Sequence, residues 1–309
     1  MELRPLSAAL CHAYFQTSSF AVVRSFAQHL HAATQLWTPP FDPHDFIRAM
    51  NITVERRPIE AEGFLENWPG NDTRVVVRPL SIAPTDGERR RDRFTLAHEL
   101  GHFVIRERLL GWYPTERFRI DDPEEEELCN VFAAELLMPT SLIARRFTSA
   151  RNNPAAFLAL CDEYDASLTS LLKHACWQNR KGFLAIVWQR GRRRFMPSWS
   201  TPRLTTSVLC ETGHTTVERA STCGTVVYGT DTFLIDGERQ RWPCGSVRLR
   251  NGDVLTIGIR GVSVARYAEP VELQSRATAV AVQLPLRFSR SPIAAAARRP
   301  ARKGVRRQR

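Results

Sequence analysis

The sequence predicts an α+β chain: a mainly helical catalytic segment with a small sheet, then a β-rich region, then a disordered basic tail. Three observations predict it. The run FTLAHELGHFVI at residues 94–105 spaces apolar residues as a helix does around two histidines. From Gly182 onward the texture changes to short β-branched and aromatic runs separated by turn residues. From Arg287 to Arg309 there are nine Lys/Arg and no acidic residue.

Charge and composition narrow the function. The 309 residues carry a net charge of +11, and without the nine cations of the tail the rest holds only +2. The tail, RFSRSPIAAAARRPARKGVRRQR, is low in bulky apolar residues, so it is expected to be disordered and to offer at most weak contact with nucleic acid or an acidic partner. No segment approaches the roughly 18 apolar residues of a membrane span, and MELRPLSAALCHAYF lacks the pattern of an export signal. A soluble, cytoplasmic protein without a membrane partner is expected. The seven scattered cysteines read as reduced thiols. Cys210, His214, Cys223 and Cys244 match no zinc-ribbon spacing, and the chain has no internal repeat, P-loop or dinucleotide fingerprint.

Five regions follow: a helical segment at 1–40, a core at 41–150, a pair of helices at 151–180, a β-rich domain at 181–286 and the basic tail at 287–309. Within the core, the VVVRP strand at 75–79 is either an edge that presents itself to an extended peptide or a paired interior strand. Asp92 is read as the cap of a helix over 93 to about 108, stopped near Gly111. His98 and His102 then lie one turn apart on one face, with Glu99 beside the first. This is the H-E-x-x-H arrangement of zinc hydrolases, in which two imidazoles hold the ion and the glutamate approaches a water. A pair of core histidines satisfied by backbone carbonyls is the other reading.

A catalytic metal needs a third protein ligand. In DDPEEEELCNVFAAELLMP, residues 121–139, Asp122 and Pro123 suit a helix start, and Glu124 to Glu127 suit the positive end of its dipole. Glu126 lies one turn before Asn130, a placement that lets Glu126 bind metal while Asn130 hydrogen-bonds a ligand. Phe132 and Leu136 are candidate core contacts.

The runs RFTLAHELGHFVI and E-x-x-C-N-x-F-A-A-E-L-L-M-P closely resemble the ImmA/IrrE family of metallo-endopeptidases. The resemblance implies a zincin-like catalytic fold and Glu126 as third zinc ligand, with Glu127 its nearest competitor. Cys129 stands where the family usually has alanine. Upstream, FIRAMNITVERRPI resembles the family's helix and first strand, and EGFLENWPGNDTRVVVRP resembles its hairpin. The implied activity is a limited cut in a DNA-binding repressor that releases stress, DNA-damage or mobile-element genes. Zn2+ held by His98, His102 and Glu126 leaves a position for water, and Glu99 is the expected general base. Mn2+ or Fe2+ suits the same donors. Tyr113 and Arg89 to Arg91 lie nearby in sequence, but none is assigned to the oxyanion. The competing class is a non-catalytic regulator binding nucleic acid or protein, its zinc site structural or lapsed.

Residues 153–178 show helical periodicity broken at Asp165 and Ala166 and weakly resemble a helix-turn-helix segment, with scaffolding as the favoured role. Further on, GFLAIVWQ reads as a buried strand, QRGRRRFMPSWSTPR as a polar connection, and Asn251–Gly252 as the tight turn of a hairpin. By analogy with the family, this β-rich part is regulatory.

Overall fold

The computed structural model describes residues 4–68, 72–110, 118–119, 122–178, 182–192, 194–201, 215–235 and 237–260. Tyr113, Cys210, His214 and the basic tail lie outside them. In chain order the elements are β1 (Arg4–Pro5), α1 (Leu6–Ala13), α2 (Ser19–Thr34), α3 (Pro43–Ala49), β2 (Thr53–Arg56), β3 (Gly63–Trp68) and β4 (Asp72–Val77). There follow α4 (Asp86–Phe103), a π-helical turn (Val104–Leu109), β5 (Phe118–Arg119), α5 (Asp122–Leu137), α6 (Thr140–Ala150), α7 (Pro154–Tyr164) and α8 (Leu168–Gln178). The last elements are β6 (Phe183–Arg190), β7 (Phe195–Thr201), α9 (Thr215–Cys223), β8 (Val227–Ile235), β9 (Glu238–Arg248) and β10 (Val254–Ile259). The order of helices and sheets is that of an α+β chain, helical first and β-rich later.

The first half is built around α4 and α5. Leu96, Leu100, Phe132 and Leu136 are fully buried together with Leu30, Phe41 and Phe46 from the preceding elements. Burying each such side chain is worth about 1.5–3 kcal/mol, so this cluster fixes how the two helices lie. At the end of α5, Pro139 stops the helix and the buried Glu135 carboxylate turns the corner into α6. It accepts from Thr140 N at 2.9 Å, Thr140 Oγ1 at 2.6 Å and Gln28 Nε2 at 2.9 Å. That cap holds α2, α5 and α6 together.

Three details revise the sequence reading or decide between its alternatives. Helix α4 begins before Asp92: Thr85 is its N-cap, and Thr85 and Glu88 form a reciprocal capping box. Asp92 sits mid-helix and pairs with Arg56 at 2.7 and 2.8 Å, which ties α4 to β2. The capping signal T-D-G-E lay ahead of a charged stretch whose polar face hid the first turns. Second, β4 is an interior strand. It pairs with β2 in parallel and β3 antiparallel, so β3 is the edge on that side. Third, the presumed connection after Gln189 contains β7, paired with β6 through a register shift at Val187/Trp188. Pro197 within the run, which cannot donate to a strand ladder, concealed it in the sequence.

Helices α7 and α8 meet at Asp165, which adopts a left-handed conformation with φ 47°. Phe157, Leu160, Leu171, Leu172 and Ala175 are buried, so both helices pack inward as scaffold. Arg90 and Arg93 of α4 reach Asp165, and Arg90 also reaches Asp162 at 2.7 Å.

The second sheet has strand order β7-β6-β10-β9-β8, all neighbours antiparallel. Alternation gives it two buried faces. Phe183, Ala185, Val247, Leu255 and Ile257 join the helical core, while Leu184, Ile186, Trp188, Phe233 and Val254 pack with Val217 and Ala220 of α9. Helix α9 was not anticipated. Beneath it runs a buried polar chain: Thr216 bonds Asp231 and, at 2.9 Å, Ser246; Ser246 bonds Thr256 at 2.7 Å; Trp188 Nε1 donates to Thr256 at 2.9 Å. Asn251 and Gly252 form the β9–β10 turn, where Gly252 takes φ 89°, a conformation that disfavours any residue with a Cβ.

Candidate active site

The site lies where α4 and α5 cross. Gly101 makes the crossing close: a Cβ there would stand 3.1 Å from Cys129 Cα and 3.3 Å from Cys129 Cβ and a Phe132 ring carbon. Small residues at 101 and 129 therefore let the histidines of one helix meet the carboxylates of the other.

His98 Nε2 lies 3.0 Å from Glu126 Oε2, and His102 Nε2 lies 3.2 Å from Glu126 Oε1. One carboxylate thus bridges the two imidazoles, whose centroids are 5.0 Å apart. The histidine side chains are 14% and 11% exposed and that of Glu126 is 52% exposed, so the donors face an opening. Asn130 hydrogen-bonds the His98 ring. Glu127 is exposed and has no place among these contacts.

The other nitrogen of His102 has its own partner. Its Nδ1 lies 2.8 Å from Glu125 Oε1, and Glu125, 1% exposed, also accepts from Arg106 Nε at 2.6 Å and Nη2 at 3.0 Å. Arg106 belongs to the π-helical turn that follows α4, whose widened backbone brings it back over α5; such turns are frequent at functional sites. The turn's end is held by Tyr14 Oη, which donates to Leu109 O at 3.0 Å. With Nδ1 so engaged, Nε2 of His102 is the nitrogen left to face a metal.

Electrostatics divide the groups. Burial, then the adjacent His102, hold the His98 pKa below its ordinary value against Glu126 and Asn130. At His102 burial works the same way, but the Glu125 bond and the charges of Glu125, Glu99 and Glu126 outweigh it and raise the pKa. Burial disfavours the Glu125 carboxylate, yet its bonds to His102 and Arg106 win and lower its pKa. Glu99, 6% exposed and beside His98 in sequence, is pushed up to about 7 by burial, with Glu126 raising it and His102 and Arg106 opposing. A carboxyl titrating there changes protonation state at neutral pH, as a general base requires.

Two donor sets compete for a metal. His98, His102 and Cys129 offer ligand atoms within 4.8 Å of one another. Burial, then Glu125, Glu126 and Glu99, push the Cys129 thiol far up, whereas ligation requires a thiolate. Glu126 already touches both rings from the solvent side, and its carboxylate offers a third donor of the other set. Two imidazoles and a carboxylate converging from one side fit a divalent ion with an open position.

Glu125, Arg106 and Gly63 escaped the sequence reading. A Cβ on Gly63, at the start of edge strand β3, would lie 2.7 Å from Thr95 Cγ2 and 3.2 Å from Glu99 Cγ, so the strand needs glycine to lie against the helix. Glu125 was hidden in an acidic run explained by the helix dipole. The signal available for it was its separation of four from Cys129, which puts both on the face turned to α4.

Residues 80–169, from the approach to α4 through the start of α8, match the family model described as the IrrE N-terminal-like domain, of a peptidase family. No curated protein matches the sequence. Among solved structures, one described as a Mycobacterium tuberculosis transcriptional regulator is similar over 82% of this chain and 93% of its own, with 13% identity and a TM-score of 0.46. Residues 80–169, the crossing helices that carry His98, His102 and Glu126 included, are thus similar to the IrrE N-terminal-like domain of a metallopeptidase family.

Proposed function

We propose that this protein is a zinc-dependent endopeptidase in which His98, His102 and Glu126 hold the ion, Asn130 steadies His98 and Glu99 moves the proton. The observation that carries the reading is the convergence of two imidazole Nε2 atoms on one carboxylate beside a second, buried carboxylate. Zn2+ is the natural occupant of a His, His, carboxylate set, with Mn2+ or Fe2+ suited to the same donors. When bound, such an ion supplies Lewis acidity that polarises a peptide carbonyl and acidifies a water. Glu99 takes the water's proton as the carbonyl carbon is attacked, then delivers it to the departing amine nitrogen. Strand β3 is the edge of its sheet and reaches Glu99 at Gly63, a position from which an extended peptide can add as a further strand.

The substrate is a DNA-binding repressor, cut at one place so that the genes it silences are released. That choice rests on the resemblance to ImmA/IrrE peptidases. The reaction is placed in the cytoplasm; Cys11, Cys129, Cys161, Cys176, Cys223 and Cys244 are free thiols, which suits a reducing compartment, and no single described helix is long and apolar enough to cross a membrane.

The test pairs metal content with cleavage. Native protein and Glu99→Gln are expected to retain about one zinc per chain, and Glu126→Ala to lose it. New N-termini in DNA-binding proteins of the host are expected with the native chain, with formation slowed about 10²–10⁴-fold by Glu99→Gln. Undiminished cleavage by Glu99→Gln would sink Glu99 as the base; zinc retained by Glu126→Ala would remove Glu126 from the ligands.

A further inference from the structure

We propose that one end of the five-stranded sheet is a nucleic-acid-binding surface that grips the phosphate backbone through the arginines of two adjacent hairpin turns. Strand register puts these turns together. Trp188 of β6 lies opposite Val254 of β10, and Val254 opposite Arg248 of β9, so the β6–β7 and β9–β10 turns leave the sheet at the same end. Paired strands are about 4.8 Å apart, so the two turns are immediate neighbours.

The first turn has the sequence Arg-Gly-Arg-Arg-Arg at 190–194, and the second is flanked by Arg248 and Arg250. Arg190, Arg192, Arg194, Arg248 and Arg250 are all exposed. Arg248 reaches the Ser221 carbonyl at 3.3 Å, while Arg190, Arg192, Arg194 and Arg250 have no ion-pair partner among the described residues. Other arginines of the fold are paired: Arg56 with Asp92, Arg90 with Asp162 and Asp165, and Arg146 with Glu163. Asp253 is the acidic residue in these two turns, and it is engaged by Asn251, whose Nδ2 donates to it at 2.8 Å. Gly191 N donates to Arg194 O at 2.9 Å, which ties the two ends of the first turn together.

Phosphate is the chemistry that suits this surface. All five cations are arginines, whose planar forks meet phosphate oxygens with two parallel hydrogen bonds. A two-stranded ribbon fits a duplex major groove, roughly 12 Å wide. The one amide in the turns, Asn251, is committed to Asp253, so backbone contact rather than base reading is expected.

The test uses the full chain and a short labelled duplex of mixed sequence, as DNA and as RNA, with polyglutamate as an acidic-polymer control, read by fluorescence anisotropy across a salt series. Counterion release contributes about 0.9 to the log–log salt slope per phosphate contact, so Arg190→Ala, Arg192→Ala and Arg194→Ala together should flatten the slope by about 2.7. Differences between the two chains isolate the turn from the basic tail, which both retain. The replaced side chains are exposed, and an unchanged thermal unfolding midpoint verifies the fold. Flattening with either duplex supports the proposal, and the tighter duplex names the source of the phosphates. An unchanged slope, or polyglutamate bound as tightly as the duplexes and lost in the same degree, would overturn it.

Discussion

Replacing Glu125 with glutamine tests whether the buried carboxylate behind His102 sets the strength of the metal site. The carboxylate makes three short bonds, one to His102 Nδ1 at 2.8 Å and two to Arg106 at 2.6 and 3.0 Å. Glutamine keeps the shape but replaces a charged acceptor by a neutral amide. A hydrogen bond to a charged group is worth about 1.5–3 kcal/mol, against about 0.5–1.5 kcal/mol for a neutral one. The His102 ring then loses both orientation and basicity, and metal affinity should fall about 10–100-fold, the usual cost of losing such a partner. Competition with a chromophoric chelator reads the dissociation constant directly, without reference to catalysis. Affinity within a factor of two of the native value, in a protein that still folds, would refute the reasoning; Arg106→Lys, which preserves the charge and loses the fork, should fall between the two.

Two further outcomes follow from the packing. Gly101→Ala inserts a methyl 3.1 Å from Cys129 Cα, where the facing backbone has to give way; overpacking of this kind costs about 1–3 kcal/mol, and urea unfolding together with weaker metal binding should report it, whereas native values for both would mean that α4 and α5 do not depend on close approach. His174 is fully buried, and burial, then the charge of Arg24, hold its pKa down at about 3 against a weaker opposing contact with the Met138 backbone. The unfolded chain takes up this proton below about 6.5 and the folded chain does not, so stability should fall with pH by about 1.4 kcal/mol per unit between about 6.5 and 3. His174→Leu should flatten that part of a denaturation–pH profile, and a profile of unaltered slope would show that the histidine does not titrate as described.

The sequence by itself was enough for the elements that depend on local pattern. His98, Glu99 and His102 fall in a helical run whose apolar period is unmistakable, and Pro123 and Pro139 bracket the next helix. The hairpin at Asn251–Gly252 likewise follows from two residues that tolerate the turn. The family match over residues 80–169 spans both of these helical motifs.

Tertiary structure decided which residues meet. Four consecutive glutamates at 124–127 satisfy a helix dipole equally well in sequence, yet the crossing of α5 over α4 turns Glu126 to the two Nε2 atoms, Glu125 to Nδ1 of His102 and Arg106, and Glu127 to solvent. A helix places successive residues about 100° apart, so the difference between a carboxylate that meets two imidazoles, one that backs a single ring nitrogen and a solvated charge is one step in sequence. Strand order did the same for β3, β4 and the two arginine turns: hydrogen bonding between distant segments made β4 interior, left β3 as the edge beside Glu99, and brought the turns that carry Arg190 and Arg250 to one end of the sheet. Those pairings depend on contacts far apart in the chain, and local residue pattern carries no trace of them.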